Sequence, residues 1–219
     1  MTSTILATYD HVEDARRVID DLTEAGFKRG DIGLALYDPD NKYENYVDDG
    51  DVSGSEGASF GASFGGVLGA VVGLGAIAIP GIGPIVAAGP LAAALGALTG
   101  AAIGATSGAV AGGITASLID MGVPEDETHY YAESLRRGAA LVSVTAHETD
   151  RERAVAILQQ HKPINIDQRV AQWRSRGWEG FDPMSDPYKA EPLAEGHNHD
   201  EVEWDEEDYR RTVRDYPMP

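Results

Sequence analysis

Ile79-Pro80-Gly81-Ile82-Gly83-Pro84 lies near the middle of a stretch, Gly57 to Ile119, that contains no Asp, Glu, Lys, Arg or His. Its alternating Pro and Gly read as a turn. On either side of it a glycine recurs at every fourth position. The first row is Gly57, Gly61, Gly65, Gly69 and Gly73, and the second is Gly96, Gly100, Gly104, Gly108 and Gly112. Residues four apart share one face of a helix, and a glycine there lets another backbone approach closely. Folding the stretch back on itself sets Gly57 opposite Gly112, Gly65 opposite Gly104 and Gly73 opposite Gly96, with the centre between Pro84 and Ile85. The expectation is a helical hairpin over 57–119, with glycine zippers on both arms and Pro80, Gly81, Gly83 and Pro84 at its turn.

Outward from this stretch, the flanking sequence reads as alternating strands and helices. Ile5 to Tyr9 has the pattern of a strand, and Asp10 followed by Glu13 resembles a capping box. Val12, Ala15, Val18, Ile19, Leu22 and Ala25 then recur at helical spacing, with Gly26 as the residue just past the helix end. Ile32 to Tyr37 is a second strand, and Asp38 to Glu56 a polar, acidic loop. Beyond the glycine stretch, Pro124 with Glu125, Asp126 and Glu127 marks a helix start, since Pro suits the first turn and carboxylates favour the positive end of the helix dipole. That helix carries Tyr130, Tyr131 and Leu135 and ends near Gly138. Ala140 to Ala146 alternates with period two. Thr149 is placed to cap a helix that Pro163 ends, and Ile164 to Asp167 reads as a last strand. His11 and His147 fall at equivalent strand-to-helix corners, where a structural role is expected.

The order without the glycine stretch is β-α-β followed by α-β-α-β. The fold class expected is α+β: a ferredoxin-like sandwich with the hairpin and one extra helix inserted between its second and third strands. The corresponding division is 1–56 as the first half with its acidic loop, 57–119 as the hairpin, 120–169 as the extra helix and second half, and 170–219 as an acidic tail. The tail holds Trp173, Trp178 and Trp204, five of the prolines and the run Asp205 to Asp208. Its composition is that of a partly disordered segment. Some of its tryptophans are nevertheless expected to pack on the body or on a neighbouring subunit, and Glu201 to Val213 has the character of a short helix.

Charge and composition narrow the function. A net charge of −19 over 219 residues opposes nucleic acid, which needs a basic footprint, and anionic lipid head groups. The chain has no cysteine, so disulfides, thiol catalysis and Cys-based zinc sites are excluded. The first residues show neither a basic region nor an apolar core of signal-peptide length, so a cytoplasmic body is expected, possible inner-membrane association being a matter for the hairpin. His197-Asn198-His199-Asp200 has metal-ligand types but no scaffold around it. No phosphate-binding loop or nucleophile elbow appears. No catalytic residue, metal, cofactor or small-molecule substrate is therefore assigned, and an enzyme is not expected.

Four segments resemble the bacterial general stress protein family, whose domain also occurs in proteins described as heat-induced or low-temperature-induced. They are Tyr9-Asp10 with the helix after it; Ala78 to Pro84 with Ala87 to Leu91; Met121-Gly122-Val123-Pro124-Glu125 with Tyr130, Tyr131 and Arg136-Arg137-Gly138; and Leu141 to Val144 with Ile164 to Asp167. The resemblance spans about residues 3 to 169 and leaves out the tail. It implies a stress-induced, non-enzymatic protein, and it carries no catalytic residue with it.

Two uses of the hairpin follow. As a membrane element, Ala58 to Ile79 would make roughly 33 Å of helix against a hydrocarbon core of about 30 Å. Its flanks, however, are acidic (Asp48, Asp49, Asp51 and Glu56 before it, Asp120 and Glu125 to Glu127 after it), where cytoplasmic flanks normally carry Lys and Arg. As an assembly element, an all-apolar hairpin must be covered by something. Glycines four apart drift about 40° per step around a helix, so five wrap through about 160° and part of each row faces away from its own partner arm. A homo-oligomer with the hairpins at its core is the reading expected for this chain; the rival from another class is a small-molecule or metal-binding module on the ferredoxin-like sheet.

Overall fold

The computed structural model describes residues 2–38, 40, 75–79, 82–93, 113–185 and 211–218. The elements in chain order are β1 (Thr2–Tyr9), α1 (Val12–Glu24), β2 (Ile32–Tyr37), β3 (Gly75–Ile79), β4 (Gly83–Ala88), α2 (Gly113–Asp120), α3 (Glu125–Arg136), β5 (Ala140–His147), α4 (Glu148–Gln160), α5 (Ile166–Ser175) and β6 (Val213–Pro217). The protein is thus mixed helix and sheet. The strands form a six-stranded sheet in the order β3-β4-β2-β5-β1-β6, and every neighbouring pair is antiparallel.

Alternation along the strands sends side chains to two cores. Ile5, Ala7 and Tyr9 of β1, Leu34 and Leu36 of β2, and Val142, Val144 and Ala146 of β5 pack under Ala15, Val18, Ile19 and Leu22 of α1 and Ala154, Ile157 and Leu158 of α4. Leu6, Ala35, Leu141, Ile85 and Ala87 point the other way, under Ile114 and Leu118 of α2 and Tyr131, Ala132 and Leu135 of α3. With both faces covered, β1 and β5 are buried almost throughout. β1 and β2 run parallel with β5 between them, and β5 and β6 run parallel with β1 between them.

Helix ends follow local chemistry, with small differences from expectation. Gly26 (φ +90°) and Gly138 (φ +93°) follow the last helical turns of α1 and α3 as expected, and Phe27 N–H closes on Leu22 O at 3.0 Å. The residue capping α1 is His11, not Asp10. The Asp10 carboxylate instead accepts from Arg169 at 2.8 Å. His147 likewise stands at the cap of α4 in place of Thr149, so both histidines take the equivalent corner positions foreseen for them. Pro124 precedes α3 rather than opening it.

Three larger expectations are corrected. The centre of the supposed helical hairpin is a β-hairpin. Gly75 to Ile79 pairs with Gly83 to Ala88, and β4 pairs in turn with Leu34 to Tyr37. Gly83 (φ +106°) and Pro84 therefore begin a strand, while Pro80 and Gly81 lie outside the described residues. A short apolar run serves strand or helix equally well by periodicity, and here the open edge of β2 decides it. Second, Ile164 to Asp167 is not a strand. Ile164 N–H makes one bond to Thr8 O at 2.7 Å. Asn165 then caps α5 by accepting from Gln168 N–H at 3.2 Å. Third, the region from Val170 on is not simply a tail. It contributes most of α5 and the edge strand β6, which pairs with Ser3 to Ala7. Residues 201–210, including Trp204, lie outside the described residues, and Val213 opens a strand, not the end of a helix.

Candidate functional site

All ten glycines of the two rows, Gly57, Gly61, Gly65, Gly69, Gly73, Gly96, Gly100, Gly104, Gly108 and Gly112, lie outside the described residues, as does His197 to Asp200. What is described between the rows is the β3–β4 hairpin and residues 89–93 after it. Gly75 pairs with Ala87 across the β3–β4 hairpin. The chain therefore enters β3 and leaves β4 at the same end of that hairpin.

Elsewhere on the body, α3, the end of α5 and residues 178–180 border an open cleft of about 550 Å³. Thr128, Tyr131, Ala132 and Leu135 of α3 are buried at the spacing of one helix face. This leaves Glu125, Asp126, His129 and Tyr130 to line the cleft. Ile166, Val170 and Trp173 of α5, at the same helical spacing, form a small core with Tyr130 and Trp178. Trp178 packs edge-on to Trp173 with ring centroids 5.5 Å apart, and 6.2 Å from Tyr130. Arg174 donates to the Tyr130 hydroxyl at 3.1 Å and lies 5.6 Å from the centre of its ring. Further along α3, the Glu133 carboxylate is fully buried. Arg137 holds it through Nε at 2.6 Å and Arg136 at 3.2 Å. The Arg137 guanidinium in turn sits 4.8 Å over Trp173.

Three carboxylates (Glu125, Asp126, Glu179), one guanidinium (Arg174) and two aromatic faces thus border the cleft. Nδ1 of His129 and Nε1 of Trp178 are buried with no hydrogen-bond partner among the described residues. A buried donor or acceptor left unmatched is costly. Among the described residues no group of three His, Asp or Glu is positioned to hold a metal ion, and no helix is long and apolar enough to cross a membrane. The helical spacing of Ile166, Val170 and Trp173 was the signal for this wall of the cleft. The Pro-rich, acidic composition that follows masks it.

A second cluster fastens β6. The Tyr216 hydroxyl donates to the Glu127 carboxylate and lies 2.8 Å from the Tyr131 hydroxyl. Arg214 bonds Asp167 at 2.5 Å and faces Glu127 at 3.9 Å. Arg151 pairs with Asp215 on the other face. Burial is the main cause that pushes the Tyr131 and Tyr216 phenols well above their ordinary value; Tyr131 and Glu127 push Tyr216 further up, whereas the hydrogen bond with Tyr216 draws Tyr131 partly back. Tyr9, whose hydroxyl donates to Leu158 O at 2.8 Å, is raised first by burial and then by Asp14.

A raised phenol contributes full stability below its unfolded value of about 10 and loses it as pH rises beyond that. The urea midpoint is therefore expected to hold level to about pH 9.5 and to fall from about pH 10 upward. Tyr216→Phe should flatten that fall. A fall unchanged by the substitution would assign it to other groups.

Compared with known proteins, the sequence matches no family model, no curated protein and no solved structure.

Proposed function

We propose that this chain is a non-enzymatic general stress-response protein that self-assembles through its charge-free, glycine-rich segment, carried on a ferredoxin-like body. The observation that carries the assembly reading is the pair of glycine rows at spacing four, within a stretch free of ionisable side chains in a chain of net charge −19. Its geometric support is that the chain enters β3 two residues after Gly73 and leaves β4 at the same end of the β3–β4 hairpin. Support for the ferredoxin-like reading is the order β6-β1-β5-β2 within the sheet, with α1 and α4 together on one face. In that reading β6 is the fourth strand, and β3, β4, α2 and α3 are the insertion. The stress role rests on the four resembling segments alone.

Light-scattering chromatography of the full chain, with and without Gly65→Leu and Gly104→Leu together, tests the assembly. The expected result is a discrete oligomer for the parent and a smaller or less stable species for the double variant. Unchanged size and melting would overturn the glycine-row reading. A carbonate-resistant membrane pellet would overturn it in favour of a bilayer-anchored stress protein.

A second reading, a small-ligand module, draws on the cleft beside α3 and its mixed lining of carboxylates, Arg174, His129 and aromatic faces. A saturable thermal shift with a small polar compound, abolished by His129→Ala, would favour it.

A further inference from the structure

The two edges of the sheet are guarded unequally. At one edge, β6 is Val213-Arg214-Asp215-Tyr216-Pro217, with Arg214 paired to Asp167 and Asp215 to Arg151. Charges and proline on an edge strand discourage a further strand from adding. At the other edge, β3 is Gly75-Ala76-Ile77-Ala78-Ile79, with neither.

The outward-facing groups of β3 follow from its neighbour. In an extended strand the N–H and C=O of one residue point to the same side. Pro84 O accepts from Asp38 N–H at 2.9 Å, on the β2 side of β4. The Ala78–Pro84 pair therefore exchanges no hydrogen bond, and bonded and non-bonded pairs alternate along an antiparallel ladder. Gly75, Ile77 and Ile79 thus bond to β4, and Ala76 and Ala78 turn their N–H and C=O to the outside. No described strand lies beyond them.

We propose that β3 pairs antiparallel with β3 of a second copy of this chain, about a two-fold axis at Ile77, so that two sheets join into one. The outward residues dictate the register. Ala76 exchanges bonds with Ala78 of the second copy, Ala78 with its Ala76, and Ile77 faces its own counterpart in a non-bonded pair. Such pairing is self-complementary and closes at two copies. A second copy fits this edge because like charge repels copies elsewhere. β3 lies inside Gly57 to Ile119, where no ionisable side chain stands in the way. The inference rests on the self-assembly reading and supplies it with a contact and a register.

The chain has no cysteine, so a single introduced thiol can form a disulfide only between copies. Counterparts in a non-bonded pair have Cα atoms about 4.5 Å apart, within the disulfide range of about 4.4–6.8 Å. Ile77→Cys is expected to cross-link to a dimer under mild oxidation. Ala76→Cys and Ala78→Cys, each offset from its counterpart by two residues, should cross-link poorly. Ala78→Pro removes an outward N–H while sparing the β4 ladder, a substitution an edge strand tolerates. It is expected to weaken association at least about tenfold, the loss of one to two net hydrogen bonds, with circular dichroism unchanged. A monomeric parent chain would overturn this pairing together with the self-assembly reading. An oligomeric parent in which Ile77→Cys stays unlinked and Ala78→Pro keeps its size would overturn the edge pairing alone. Assembly would then be left to the glycine rows, and the β3 edge to the chain's own connections.

Discussion

Deleting residues 211–219 is expected to lower the unfolding free energy by about 3–6 kcal/mol, from burial of Val213 and Tyr216 alone. Both side chains are 6 % exposed, and each serves a different core: Val213 the one under α1 and α4, Tyr216 the one under α2 and α3. The deletion also strips Ser3 to Ala7 of their outer ladder. It removes the hydroxyl that donates to Glu127 and the guanidinium that bonds Asp167. Against a typical total of about 5–15 kcal/mol, that loss leaves a marginal body. Urea unfolding of the shortened chain checks it. An unchanged midpoint would mean that β6 adds nothing to the body. Tyr216→Ala, which keeps the strand but empties its place, is expected to recover about half of the effect.

Gly89→Ala is expected to cost about 2–5 kcal/mol, the sum of a left-handed residue's penalty and local overpacking. Gly89 has φ +65°, and a Cβ built there would meet Ile32 O at 2.0 Å and Gly33 Cα at 3.0 Å. These are backbone atoms of β2, at residues paired with Val144 and Ser143 of β5 and followed directly by the β4-paired Leu34, so they have little room to move. The turn after β4 lies this close because Gly33 also lacks a side chain. A Cβ on Gly33 would stand 2.3 Å from Ser143 Oγ and 3.2 Å from Leu91 N. The melting temperature should fall by roughly 4–20 °C for a chain of this size. Gly30→Ala, where an added Cβ would meet nothing within 4 Å, serves as the control and should leave it nearly unchanged.

The elements legible in the sequence are those whose signals are local. β1, α1, β2, α3, β5 and α4 each combine one clear period with Gly, Pro or a polar residue at a boundary, and each was foreseen to within a few residues. The cleft was not foreseen, because it needs α3 and α5 side by side. Tyr130 and Trp178 are far apart in the chain, and nothing local announces that Arg174 will bridge to the Tyr130 hydroxyl. The Glu133 carboxylate is equally unforeseeable as a buried group. Its position on α3 is readable, whereas its desolvation depends on what packs over the helix.

By itself the sequence determined the mixed helix and strand composition of the body, the helix stops at Gly26 and Gly138, and the absence of ionisable groups between Gly57 and Ile119. These depend on side-chain period, backbone freedom and composition, which are properties of neighbouring residues. Only the tertiary structure decided that Gly75 to Ala88 is a β-hairpin, and that Val213 to Pro217, not Ile164 to Asp167, fills the outer edge of β1. Short segments have no strong conformational preference of their own. They take the form that satisfies backbone groups left open by a distant strand: β2 in the first case, β1 in the second.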